Sequence, residues 1–126
     1  MNSIRRAERD IPVFQTVDLC VVGGSCIGVF AAVRAARLGL SVAIVEQQNC
    51  FGGVATNAMV NIWHSPYTFD HTELIVGGLS LETMERLKKR DAVSINEREV
   101  NAFVFNSEEL KIELDELVTE HNITPY

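Results

Sequence analysis

Residues 17–46 read VDLCVVGGSCIGVFAAVRAARLGLSVAIVE, and no other stretch limits the fold as tightly. Asp18–Val22 is a short apolar run of the kind shown by a parallel strand covered on both faces. From about Ser25 to Leu38 the period is helical. Ala31, Ala32, Ala35 and Ala36 are small enough to lie close on a sheet, and Gly39 stands where a C′ glycine ends a helix. Val42–Val45 is a second buried strand, closed by Glu46. Strand, glycine turn, helix and strand make a βαβ unit, since the helix is long enough to cross between parallel strands. The fold class expected is α/β, a Rossmann-like βαβ unit within a doubly wound parallel sheet.

The turn itself is Gly23-Gly24-Ser25-Cys26-Ile27-Gly28, a G-x-G-x-x-G pattern with Ser25 at the second glycine position. A helix N-terminus favours negative charge through its unpaired N–H groups and its dipole, and small residues let the backbone approach a diphosphate. Gly23 is expected to make the tight turn and Gly28 to let helix and strand close up. Ser25 adds bulk at the point of approach, while its hydroxyl offers a donor to a phosphate oxygen. Glu46 lies 23 residues beyond Gly23, where a carboxylate accepts from ribose hydroxyls and disfavours a 2′-phosphate. The residues therefore imply a dinucleotide, with NADP the least favoured and NAD and FAD both open.

After Glu46 the chain turns irregular through Gln47, Gln48 and Asn49 to a second glycine pair, Gly52-Gly53. Read alone, that pair is either another close backbone approach or an ordinary turn. A short helix is expected around Ala55–Val60, and Asn61–Thr72, with Trp63, His64, Tyr67, Phe69 and His71, reads as a loop without regular period. An amphipathic helix is expected from about Ser80 to Lys89 and a strand over Ala102–Phe105. Asn106 and Glu109 resemble a capping box for a helix reaching about His121. Two strands of the parallel sheet are secure, and Asn122-Ile123-Thr124 reads as the turn into another. The division expected is an arm over 1–16, made extended by Pro12, and a partial FAD/NAD(P)-binding domain over 17–126, truncated before its later strands.

A formal net charge of -6 gives no electrostatic footprint for nucleic acid, and no apolar run approaches the roughly 20 residues that span a bilayer. Arg5-Arg6 has no apolar run behind it, so no secretory signal is read and the cytoplasm is the expected location. Cys20, Cys26 and Cys50 form no metal-ligand spacing and are expected to be free thiols, so no metal is assigned.

Beyond the glycine turn, Ala32, Gly39, Leu40, Val42, Ile44 and Glu46 fit an extended pattern. Together with FGGVATNAMV at 51–60, VGGLSLETMERLKK at 76–89 and FNSEELKIELDELVTEHNI at 105–123, they resemble FAD-dependent oxidoreductases of the glutathione-reductase-like superfamily. The resemblance implies FAD as cofactor. It places the diphosphate at Gly23, Gly24, Ser25, Cys26, Ile27 and Gly28 and the adenosine ribose at Glu46, with Gln47 a further cofactor-binding candidate. The flavin side falls near Gly52, Gly53 and Thr56. It further implies hydride transfer to the flavin from an unnamed small substrate. The alternatives are an NAD-dependent dehydrogenase built on the same unit, or a non-catalytic fragment whose open sheet edge is completed by an oligomer contact or another chain.

No catalytic residue is assigned. Cys50 lacks the second cysteine a dithiol exchange needs, while Cys26 sits at a helix N-terminus, which lowers a thiol pKa. Cys20 reads as a small core residue. His64 and His71 are candidate bases facing a flavin, set against ordinary surface or packing histidines. His121 suits the negative end of a helix dipole, and Glu108, Glu109, Glu113, Asp115, Glu116 and Glu120 read as a mostly solvated acidic face.

Overall fold

The computed structural model describes residues 8, 10–95 and 102–126. The first half of the expected arm, 1–7 and residue 9, and with it Arg5-Arg6, lies outside the described residues. Two sheets and three helices follow. Strand β1 (Leu19–Val22) runs into α1 (Cys26–Arg37) and back through β2 (Val42–Val45), the βαβ unit read from the sequence. Leu19 pairs with Val42 and Val22 with Val45 in parallel register. Gly39 takes φ +88° directly after the helix, so glycine there relieves the strain of stopping it.

A third parallel strand, β6 (Thr124–Pro125), follows α3 (Ser107–Glu120) and pairs with β2, giving the order β1-β2-β6. Asn122, at φ 53°, makes the turn into it, as the sequence suggested. Asn106 caps α3 by accepting from the N–H groups of Glu108 and Glu109. Helices α1 and α3 cover one face of this sheet. Val29, Val33, Ile44, Leu110, Leu114 and Leu117 are fully buried between the layers. Each such side chain contributes about 1.5–3 kcal/mol relative to an exposed one.

The opposite face departs from expectation. Cys20, Val22 and Val45 lie on it and are exposed, Val22 at 84%, so Cys20 is not a core residue and β1 is covered on one face only. Residues 10–16 approach without regular structure. Gln15 fastens them by donating to Thr124 Oγ1 at 3.2 Å and accepting from the Tyr126 hydroxyl at 2.8 Å.

The second sheet is antiparallel, in the order β3-β5-β4, from β3 (Ile62–Trp63), β4 (Val93–Ile95) and β5 (Phe103–Phe105), with α2 (Leu79–Lys89) before β4. The segment expected to be a loop thus contains a strand. Trp63 makes edge contacts with Phe30 of α1 at 6.1 Å and Phe105 at 5.2 Å, so the ring ties this sheet to the βαβ unit. The helix expected at 55–60 is instead one 3-10 turn, Gly53–Ala55, entered through Gly52 and Gly53 at positive φ, and Met59 at φ 55° interrupts any helix beyond it. The acidic face of α3 is only partly solvated. Glu113 is buried against Arg86 and Arg90, Glu116 accepts from Arg90, and Glu120 pairs with Arg86 at 2.6 Å. The cations come from α2 and the turn after it, which is why α3's own spacing concealed the seam.

Candidate functional site: a glycine cradle and an acidic cleft

The glycine turn begins as a continuation of the sheet, with the Gly23 N–H donating to Val45 O at 2.7 Å. Gly23 then adopts φ +107°, with nothing within 4 Å of where a Cβ would stand. At Gly28 a Cβ would lie 2.0 Å from Gly23 O, so the helix approaches the turn more closely than any side chain permits. The exception in the motif, Ser25, has an explanation. Its φ of -60° and ψ of 169° are ordinary extended backbone, so no glycine is needed. Ser25 is the N-cap of α1, and its Oγ accepts from the Gly28 N–H at 3.3 Å, leaving the hydroxyl proton free to donate. The first-turn amides of Cys26 and Ile27 have no intrahelical acceptor, as at any helix start. There is no acidic residue in that turn, while Arg34 and Arg37 sit in the last one, so the N-terminal end is left favourable to an anion.

Glu46 closes the other side. Its Oε2 accepts from the Gly24 N–H at 2.6 Å and its Oε1 from the Gln48 N–H at 2.9 Å. These bonds, Gln48's first and Gly24's second, hold the carboxyl below the usual glutamate range. The turn and the acid are thus in direct contact. Gln47 and Gln48 are both exposed and meet the Glu46 carboxylate through their backbone N–H groups. The Glu46 N–H donates to Tyr126 O at 2.8 Å, which brings the end of β6 beside it. Between them opens a cleft of about 320 Å³ lined by Glu46, Gln48, Phe51, Asp115, Pro125 and Tyr126, with Asn49 and Cys50 at its wall. Sequence reading missed the last three of the first group. The turn signal at Asn122 pointed to a strand there, but its adjacency to β2 is visible only in the sheet.

The second glycine pair lies against the first. Gly52 N–H donates to Gly24 O at 2.8 Å, Cys26 Sγ donates to Gly52 O at 3.5 Å, and a Cβ at Gly53 would stand 3.3 Å from Ser25 Cβ. Gly52-Gly53 is therefore a buttress of the cradle as well as a turn. Thr56, by contrast, is buried, its hydroxyl donating to Phe51 O at 2.7 Å, so that side chain holds the loop from inside. Cys26 corrects the expectation of a lowered pKa. Burial pushes its thiol up to about 11 despite the helix terminus, which leaves it protonated and unreactive at neutral pH. Cys50 faces Asn57 Oδ1 at 3.3 Å. His64 and His71 are exposed, His71 at φ 58°, in the segment beyond β3. His121 ends α3, its Nε2 accepting from Arg37 Nε at 2.9 Å and its Nδ1 meeting Leu117 O at 2.8 Å, so it works as a hydrogen-bonded cap. A groove of about 690 Å³, lined in part by Ile27, Phe30, Arg34, Trp63 and Leu79, runs from the first turn of α1 to the start of α2. Among the described residues no group of three or more His, Cys, Asp or Glu is arranged to hold a metal ion, and no helix is long and apolar enough to cross a membrane.

The family model for FAD dependent oxidoreductases matches residues 18–126. The chain belongs to that family. Its members depend on FAD, which resolves the choice that the glycine turn left open. The mitochondrial dihydrolipoyl dehydrogenase of Schizosaccharomyces pombe is 34% identical over 85 residues, covering 59% of this chain and 17% of that protein. The dihydrolipoyl dehydrogenase of Trypanosoma brucei brucei is 45% identical over 49 residues, covering 39% of this chain and 10% of that protein. The crystal structure of Thermovibrio ammonificans THI4 has a TM-score of 0.57 at 19% identity, covering 87% of this chain and 38% of that one, and shares the fold. The chain thus spans well under half of each of these proteins.

Proposed function

We propose that this chain is the FAD-holding region of a flavin-dependent oxidoreductase. The cofactor lies with its adenosine in the Glu46 cleft, its diphosphate over Gly23–Gly28 and its flavin side toward Gly52-Gly53. The observation that carries the reading is the 2.6 Å bond from the Gly24 N–H to Glu46 Oε2, which joins the phosphate-type turn to the ribose-type acid. The residues fit the group. A carboxylate has about four lone-pair sites, so Glu46 keeps acceptors for ribose hydroxyls after its two backbone bonds. The open side of Gly23, the first-turn amides of α1 and the Ser25 hydroxyl face an anion without a compensating carboxylate in that turn. Gly52-Gly53 holds Ser25 and Gly24 in place from behind.

Bound there, the flavin supplies the hydride-accepting chemistry, and the protein supplies binding and orientation. The small substrate that gives up the hydride is taken to meet it outside the groups named here. We place the protein in the cytoplasm, on cysteines that are free thiols among the described residues. A second reading, a holding module that has no chemistry by itself, is favoured by the bare face of Cys20, Val22 and Val45, on which further polypeptide would pack. Titration with FAD, NAD and NADP decides the ligand. Flavin absorbance retained after desalting supports the reading, and stabilisation by NAD alone overturns it. Gly28→Val is expected to abolish retention, and retained flavin in that variant would refute the cradle.

A further inference from the structure

We propose that Asp115 selects the base: its carboxylate accepts a hydrogen bond from the exocyclic amine of an adenine seated in the cleft beside Glu46. This deepens the adenosine reading of that cleft and rests on it. The acidic residues of α3 divide into two sets. Glu109, Glu113, Glu116 and Glu120 turn toward Arg86 and Arg90 and are paired there. Asp115 follows Glu113 by two positions, about 200° around a helix, and lines the cleft with Phe51, Pro125 and Tyr126. Among the described residues its carboxylate has no hydrogen-bond or ion-pair partner. Beyond the backbone bonds of α3 itself, its carbonyl oxygen accepts from the Thr119 hydroxyl at 2.8 Å. Lys111, one turn earlier, is held by Glu108 at 2.7 Å.

Asp115 stands exposed at the cleft, where the desolvation of its carboxyl by neighbouring protein raises its pKa above the ordinary aspartate value. Two carboxylates, Glu46 and Asp115, make the cleft hostile to an anion, so the part of a nucleotide that enters it has to be neutral and rich in donors. A ribose meets that requirement at Glu46. At Asp115 an adenine amine meets it, whereas hypoxanthine presents a carbonyl at the same ring position and sets lone pair against lone pair. Phe51 supplies an apolar aromatic wall for either base, so shape does not separate them and Asp115 does.

The test is titration of the full chain with ADP and with IDP, read by calorimetry and by amide chemical shifts. ADP is expected to bind about tenfold more tightly, the worth of one charge-assisted hydrogen bond exchanged for a repulsion. Asp115→Ala should level the two, and Asp115→Asn, whose amide accepts from the adenine amine in one orientation and donates to the hypoxanthine carbonyl in the other, should level them as well. Circular dichroism and melting confirm that both variants fold. Equal binding of ADP and IDP by the parent chain, or an undiminished preference in Asp115→Ala, overturns the inference and leaves the cleft standing. No ADP binding at all overturns the adenosine reading and the inference together.

Discussion

Gly23 and Gly52 share a φ of +107° and differ in what surrounds them. A Cβ at Gly23 would meet nothing within 4 Å, whereas one at Gly52 would stand 2.4 Å from Thr56 Cγ2. The first turn is glycine because of its backbone and borders open space. The second is glycine because of its backbone and because protein fills the space. The difference separates a turn that borders open space from one packed inside the protein, although both read as glycine pairs in the sequence.

Four substitutions break or sharpen that contrast. Gly28→Val should do most, since even a Cβ would overlap Gly23 O, and a loss of about 3 kcal/mol in a denaturant melt is expected together with loss of FAD retention. Gly52→Ala combines left-handed strain with the Thr56 clash and should cost about 2–3 kcal/mol, part of it recovered in a Thr56→Ala background. Gly23→Ala carries strain alone, about 1–2 kcal/mol, but places a methyl in the open space, so nucleotide affinity should fall further than stability predicts. Equal losses at Gly23 and Gly52, with equal effects on affinity, would erase the contrast.

Glu46→Gln should have the smallest effect on stability, under about 1 kcal/mol, because the group is largely solvated. Its sign with pH is fixed. The folded carboxyl lies below its ordinary value, so its contribution is complete above the usual glutamate range. That contribution is lost as the pH falls through the folded value. Parent and Glu46→Gln melts should therefore differ at pH 7 and converge as the pH falls beneath the ordinary glutamate range and through the folded value. A difference that grows on acidification would contradict the Gly24 and Gln48 bonds.

The βαβ unit was legible because its apolar runs, alanine-rich helix and flanking glycines each act within a few residues of one another. The irregular member of the glycine pattern does not disturb the turn, since Ser25 needs only extended backbone and a capping oxygen. What escaped depended on distant partners. Trp63 looked like a loop aromatic because its strand is made by pairing with Phe103, 40 positions away. Glu113 looked solvated because Arg86 and Arg90 come from another element. Cys20 looked like a core residue because an apolar run does not report which of its two faces is covered. In the candidate site, the glycine turn and the acid that closes β2 could be read from local pattern, whereas the cleft that Asp115 and Tyr126 line could not, since β6 must first dock beside β2 to form it.

The central claim is that this chain grips the adenosine diphosphate half of FAD, and titrating it with FAD and with FMN tests that most directly. Flavin fluorescence should report saturable binding of FAD that ADP displaces, with FMN at least tenfold weaker, because FMN lacks the half that meets Gly23–Gly28 and Glu46. FMN binding as tightly as FAD, or FAD binding that ADP leaves untouched, would contradict the account.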